Sequence, residues 1–146
     1  MAEGKIIAIS ISEKKGQKKH NIESANLIVD HGMEGDAHAG NWHRQISLLG
    51  IKSIKHMRDK GADVKPGDFA ENITVEGIVL YELPVGTKLQ LGHEVLLEVT
   101  QIGKECHHGC EIMKQVGSCI MPTQGIFGKV LKNGTINVGD EVSIIK

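Results

Sequence analysis

Between residues 5 and 12, isoleucines alternate with small or polar side chains, the two-residue period of a strand with one buried face. The Glu13-Lys14-Lys15-Gly16-Gln17-Lys18-Lys19 run interrupts that pattern and reads as a solvated surface loop. Residues 22–29 predict a second strand, followed by a long loop from 30 to 44. Residues 45–49 form a short strand or the lead-in to a helix. Ile51, Ile54 and Met57 then recur at helical spacing through Lys60, with Gly61 as the stop, so an amphipathic helix is expected with its apolar stripe on the core.

From Lys65 onward the chain repeats one turn pattern three times: Lys65-Pro66-Gly67-Asp68-Phe69, Pro84-Val85-Gly86-Thr87-Lys88-Leu89 and Asn137-Val138-Gly139-Asp140-Glu141-Val142. Each places glycine before Asp or Thr and then re-enters an apolar run, the chemistry of a tight turn feeding a sheet edge. Strands are expected near residues 72–75, 89–91, 95–102, 125–131 and 141–145, and a short helix over 111–116. The sum is a mainly β chain, a closed or nearly closed barrel with a few short helices.

Composition sharpens this picture. The 146 residues suit one domain spanning 1–146 with a single core. Ile and Val together number 29 against 10 Leu, side chains that suit a pleated surface. The formal charge of −1 provides no field to gather nucleic acid or an anionic membrane, and only Trp42, Phe69, Tyr81 and Phe127 could stack on bases. No apolar run approaches the ~20 residues that span a bilayer, and the Ile6-Ile7-Ala8-Ile9 run is too short for a signal segment. Three cysteines, an odd number, fit a reducing compartment, so the expected location is cytoplasmic.

Two stretches carry candidate chemistry. In the first, the strand over 95–102 ends at Gly103 and opens into Lys104-Glu105-Cys106-His107-His108-Gly109-Cys110, a dense Cys/His cluster. Lys104 and the two histidines bring positive charge that favours a Cys106 thiolate, the nucleophilic and metal-binding form, while Glu105 opposes them. A small buried hydrophobe is the plainer reading of Cys106. Cys106, Cys110, Cys119, His107 and His108 around a metal is another, although their spacing is unlike a zinc knuckle.

The second stretch is the 30–44 loop, with three glycines and three histidines. Glycines such as Gly35 and Gly40 allow backbone N–H groups to turn towards an anion, and His38, His43 and Arg44 can pair with one. Arg44 is one of two arginines among 17 basic residues, and its planar fork matches phosphate or carboxylate. A structural ion pair at Arg44 would look the same in sequence. Asp36, His38 and His43 as metal ligands match no standard pattern.

Three blocks, taken in order and spacing, resemble the MOSC domain: Glu34-Gly35-Asp36-Ala37-His38-Ala39-Gly40 running into Arg44-Gln45-Ile46-Ser47-Leu48-Leu49, then Phe69-Ala70-Glu71-Asn72-Ile73-Thr74, then Leu97-Glu98-Val99-Thr100-Gln101 followed by Cys106. This module ends the eukaryotic molybdenum cofactor sulfurases and also occurs as small stand-alone bacterial proteins, and the likeness covers essentially the whole chain. The resemblance implies a barrel-like β fold and molybdenum cofactor, molybdopterin or a precursor, as the small-molecule partner. It assigns Cys106 to carry sulfur as a persulfide or to ligate molybdenum, and puts His38, Arg44 and Asn72 near the pterin and its phosphate. The His107-His108-Gly109-Cys110 segment departs from the sulfurase pattern and is closer to the bacterial branch.

The pyridoxal-phosphate desulfurase domain of the full-length enzyme is expected to be absent, since 146 residues leave no room for it. Sulfur, if carried, is therefore expected from a separate cysteine desulfurase or cofactor-biosynthesis protein. Two other readings stand beside sulfur transfer. One is a non-catalytic cofactor carrier. The other is a relative of the MOSC reductases of N-hydroxylated compounds, which generally carry an added N-terminal portion.

Overall fold

The computed structural model describes residues 3–14, 19–37, 39–61, 63–69, 71–103 and 125–145. The alternation that opens the chain becomes β1 (Gly4–Ile11), with Ile6, Ala8 and Ile9 buried. The run over 22–29, expected as one strand, is two: β2 (His20–Ile22) pairs with β1, and β3 (Ser24–Ile28) pairs elsewhere. Glu23 is the break, and neither its polarity nor its size announced that the chain changes sheet there. The two-residue β4 (Gly32–Met33) lies inside the expected loop and buries Met33 completely.

β5 (Ile46–Gly50), α1 (Ile51–Asp59) and β6 (Ile73–Glu76) form a crossover unit, because β5 and β6 run parallel and two parallel neighbours need a long connection. α1 turns Ser53, Ile54 and Met57 inward and ends at Gly61, as its spacing predicted. A short 3-10 turn over Leu80–Glu82 leads to β7 (Lys88–Leu91), β8 (Val95–Ile102), β9 (Ile126–Lys132), β10 (Gly134–Asn137) and β11 (Glu141–Ile145). Among the described residues α1 is the one α-helix, and the expected helix over 111–116 lies outside them.

Seven strands close a barrel in the order β1-β6-β5-β9-β8-β7-β11, with β11 returning to β1 through Gly4↔Val142 and Lys5↔Glu141. All neighbours are antiparallel except β5 and β6. A second sheet, β10-β3-β4, adds Ala25, Leu27, Met33 and Ile136 to the same apolar core. β8 shows why such a wall forms: Val95, Leu97 and Val99 face the core while the residues between them stay half-exposed.

The three repeated turns are of one type. In each, the fourth residue donates its N–H to the first carbonyl, Asp68 to Lys65, Thr87 to Pro84 and Asp140 to Asn137, with glycine third at positive φ. At Gly67 the need is also steric, since a Cβ would sit 2.9 Å from Ser10 Oγ. The turns at Gly86 and Gly139 re-enter strands directly, whereas the Gly67 turn first sets Glu71 and Asn72 into the wall before β6 begins.

No helix of the described residues is long and apolar enough to cross a membrane.

Candidate functional site

The 34–44 loop is fixed at both ends. At its start, Asp36 is buried and accepts from Lys19 Nζ at 2.6 Å and from the Ser12 amide at 3.1 Å. Lys19, expected in a solvated loop, is 4 % exposed. A run of lysines gives no sign of which one finds a buried carboxylate. Burial pushes the Asp36 carboxyl up, but the Lys19 and Ser12 hydrogen bonds, the Lys19 charge and the Asn72 side chain outweigh it. Asp36 therefore titrates below its ordinary 3.8.

Within the loop, the amides of Asp36, Ala37, Ala39 and Gly40 donate to the carbonyls of Met33, Ser12, Asp36 and His31. These four N–H groups are taken by carbonyls of the chain itself. Gly35, at φ 84°, makes the turn that brings Asp36 inward. Gly40 holds the loop back against His31.

At its end the loop is fastened to β8 and β9. The Thr100 hydroxyl is shared by the carbonyls of His43 and Phe127, His43 Nε2 meets Gln101 Oε1 at 2.9 Å, and Gln101 Nε2 donates to the Gly103 carbonyl at 2.7 Å. These contacts set Arg44 between two rings, its Cζ 4.7 Å from the Trp42 centroid and 5.6 Å from that of Phe127. Such stacking stabilises a guanidinium by roughly 0.5–2 kcal/mol and fixes its plane. Arg44 Nε is buried without an acceptor, the one such side-chain atom among the described residues. A structural ion pair, the competing expectation, is not present for Arg44 among these residues.

The same end of the barrel is where the chain leaves β8 and returns to β9. Gly103 donates its N–H to the Gly125 carbonyl at 2.6 Å, and Phe127, the lower ring of the Arg44 clamp, pairs with Gln101. Cys106 and Lys104 lie outside the described residues, as do His38, His107, His108, Cys110 and Cys119. Among those described, no group of three or more His, Cys, Asp or Glu could hold a metal ion.

Asn72 is 1 % exposed, and its side chain works inside the wall. Its Oδ1 accepts from the Ser47 amide and hydroxyl at 3.0 and 3.2 Å, and its Nδ2 donates to the Ser10 carbonyl at 3.2 Å, tying β5 to β1. Beside it, Glu71 accepts from the amides of Gly67 and Phe69 and from the Thr74 hydroxyl. Burial pushes Glu71 above its ordinary 4.5, and those donors offset only part of the rise.

The sequence reading missed Trp42, Phe127, Thr100 and Gln101 as parts of the Arg44 setting. Trp42 had a local signal, being the chain's single tryptophan two residues from Arg44. Phe127 had none, because only the β8–β9 register brings it there.

Residues 35–143 match the model of the MOSC domain. The fold is similar to the crystal structure of the YuaD protein from Bacillus subtilis, with TM-score 0.79 and 18% identity over 97% of each chain. It is also similar to YiiM from Geobacillus stearothermophilus, with TM-score 0.72 and 17% identity over 98% of this chain and 75% of that one. For YiiM from Escherichia coli the TM-score is 0.67 and the identity 16%, over 97% and 70%. Among curated protein sequences none matches the chain.

Proposed function

The chain belongs to the MOSC domain family, which is associated with molybdenum cofactor binding, and from that premise we propose that it binds this cofactor or a precursor beside Arg44. The observation that supports this most is the Arg44 guanidinium: stacked, half-buried, and left with an Nε that has no acceptor among the described residues. An unmade hydrogen bond at a buried donor costs about 1–3 kcal/mol, which an arriving phosphate oxygen would recover. His38 joins Arg44 at that phosphate. Gly35 and Gly40 shape the loop, and Asn72 acts as a positioning residue through Ser47 and the wall.

Cys106 is the proposed sulfur residue. It follows Gly103 by three positions, so chain length alone keeps its Cα within about 11 Å of that of Gly103. When bound, the cofactor supplies a soft, sulfur-ligated metal to which a thiolate is a natural ligand. In the sulfur-carrying form, the Cys106 thiolate attacks the outer sulfur of a persulfide on a donor such as a cysteine desulfurase. The donor's sulfur–sulfur bond breaks, its cysteine leaves as thiolate, and the outer sulfur and its proton pass to Cys106 without net oxidation. The Cys106 persulfide then loses that proton to solvent, and Lys104 steadies the resulting anion.

The test is to incubate wild type, Arg44→Lys and Cys106→Ser with extracted molybdenum cofactor and to quantify the pterin retained after gel filtration. Arg44→Lys keeps the charge but loses the fork and should bind at least about tenfold more weakly. Equal retention removes Arg44 from the site. Mass spectrometry after incubation with a cysteine desulfurase and cysteine then separates the two roles of the thiol. One added sulfur atom on Cys106 supports sulfur transfer, and an unmodified thiol with retained cofactor supports a carrier that ligates molybdenum directly.

A further inference from the structure

At the far end of β5 from Arg44, about 17 Å away for a five-residue strand, lies a cavity of about 380 Å³ that the cofactor reading does not use. Its polar side is the start of α1. Gly50 is the N-cap and has no side chain to offer, no other side chain caps the helix, and its first turn carries no acidic residue. The first N–H groups of a helix have no intrahelical partner and carry the positive end of its dipole, so this end is set up for negative charge that the chain does not supply.

A second, independent feature lies in the same cavity. Ser53 lines it and is 6 % exposed, yet its hydroxyl has no hydrogen-bond partner among the described residues. Buried hydroxyls are ordinarily bonded, often to a backbone carbonyl one turn back. Here that donor is left over, and the atom is not sealed from solvent. Lys52 and His56 lie on the same helix and line the same space. Opposite them the wall is apolar, built from Val75, Ile78 and Leu80, with Val79 and Tyr81 at the rim, 41 % and 39 % exposed.

We propose that this cavity is a second ligand site, taking a small organic anion whose phosphate or carboxylate sits on the α1 N-terminus and Ser53 while its apolar body lies against Ile78 and Tyr81. The inference does not rest on cofactor binding at Arg44, and the two sites fail separately. Amide spectra of the full chain titrated with phenyl phosphate should shift at residues 50–53 and 77–81. Ser53→Ala should weaken binding about tenfold, the loss of one hydrogen bond to a charged group. Lys52→Glu should weaken it at least as much without lowering the melting temperature, because an acidic residue suits the first turn of a helix while repelling an anion. Benzoate as a second probe assigns the head group: tighter binding than phenyl phosphate makes it a carboxylate, weaker binding a phosphate. The proposal is overturned if neither probe shifts these residues, or if Lys52→Glu binds like wild type. Inorganic phosphate binding as tightly as phenyl phosphate would overturn the apolar half.

Discussion

Ser47 lies in β5 and Arg44 in the loop just before it, three residues apart, and the chain treats their polar atoms in opposite ways. Around Ser47 the buried groups are bonded to one another: Asn72 to Ser47 and Ser10, Glu71 to two amides and Thr74, Asp36 to Lys19 and Ser12. Around Arg44 two aromatic faces hold the cation, and its Nε has no acceptor among the described residues. The first arrangement stabilises the wall and specifies which strands meet. The second costs stability and is useful only if something else completes it.

The sharpest break of that contrast is Asn72→Ala. It strands the Ser47 amide and the Ser10 carbonyl in the core and should cost about 4 kcal/mol in urea unfolding, since each buried group left unbonded costs roughly 1–3 kcal/mol. A loss below about 1 kcal/mol would mean that the polar cluster does little for the wall. Next comes Lys19→Met, which leaves Asp36 buried without its cation and should cost about 3 kcal/mol at neutral pH.

The two buried carboxyls also predict opposite pH behaviour. Asp36 has a folded pKa below its unfolded value, so its contribution is present above about pH 4 and is lost as pH falls through the folded pKa. Glu71 has a folded pKa above its unfolded value, so its contribution is full below about pH 4.5 and declines as pH rises through the folded pKa. Stability profiles of Asp36→Asn and Glu71→Ala, each subtracted from wild type, should therefore slope in opposite directions. Parallel slopes would show that one of the two environments has been misread. The smallest effect belongs to the mouth: Arg44→Met removes an unbonded donor while keeping apolar bulk on Trp42 and Phe127, and should change stability by less than about 1 kcal/mol. A loss of several kcal/mol would make Arg44 another wall residue and erase the contrast.

What the sequence made legible follows from how local each signal is. The Gly67, Gly86 and Gly139 turns could be read because a type II turn writes its requirement in four consecutive residues. α1 was visible from Ile51, Ile54 and Met57 for the same reason. The split at Glu23, the burial of Lys19 and the ring of Phe127 under Arg44 depend on partners far along the chain, and no window of neighbouring residues contains them. Asn72 and Arg44 were both singled out by the motif that carries them. Motif membership did not distinguish the residue that braces the barrel from the residue that waits at its rim.

The bond from Gly103 to Gly125 has an engineering consequence. Two barrel strands are latched at residues 103 and 125, so the two ends of the intervening sequence are held at a fixed separation. Lengthening a tethered segment costs only about 0.6 kcal/mol per doubling. Inserts of different length could therefore be grafted between these two glycines at little cost in chain entropy.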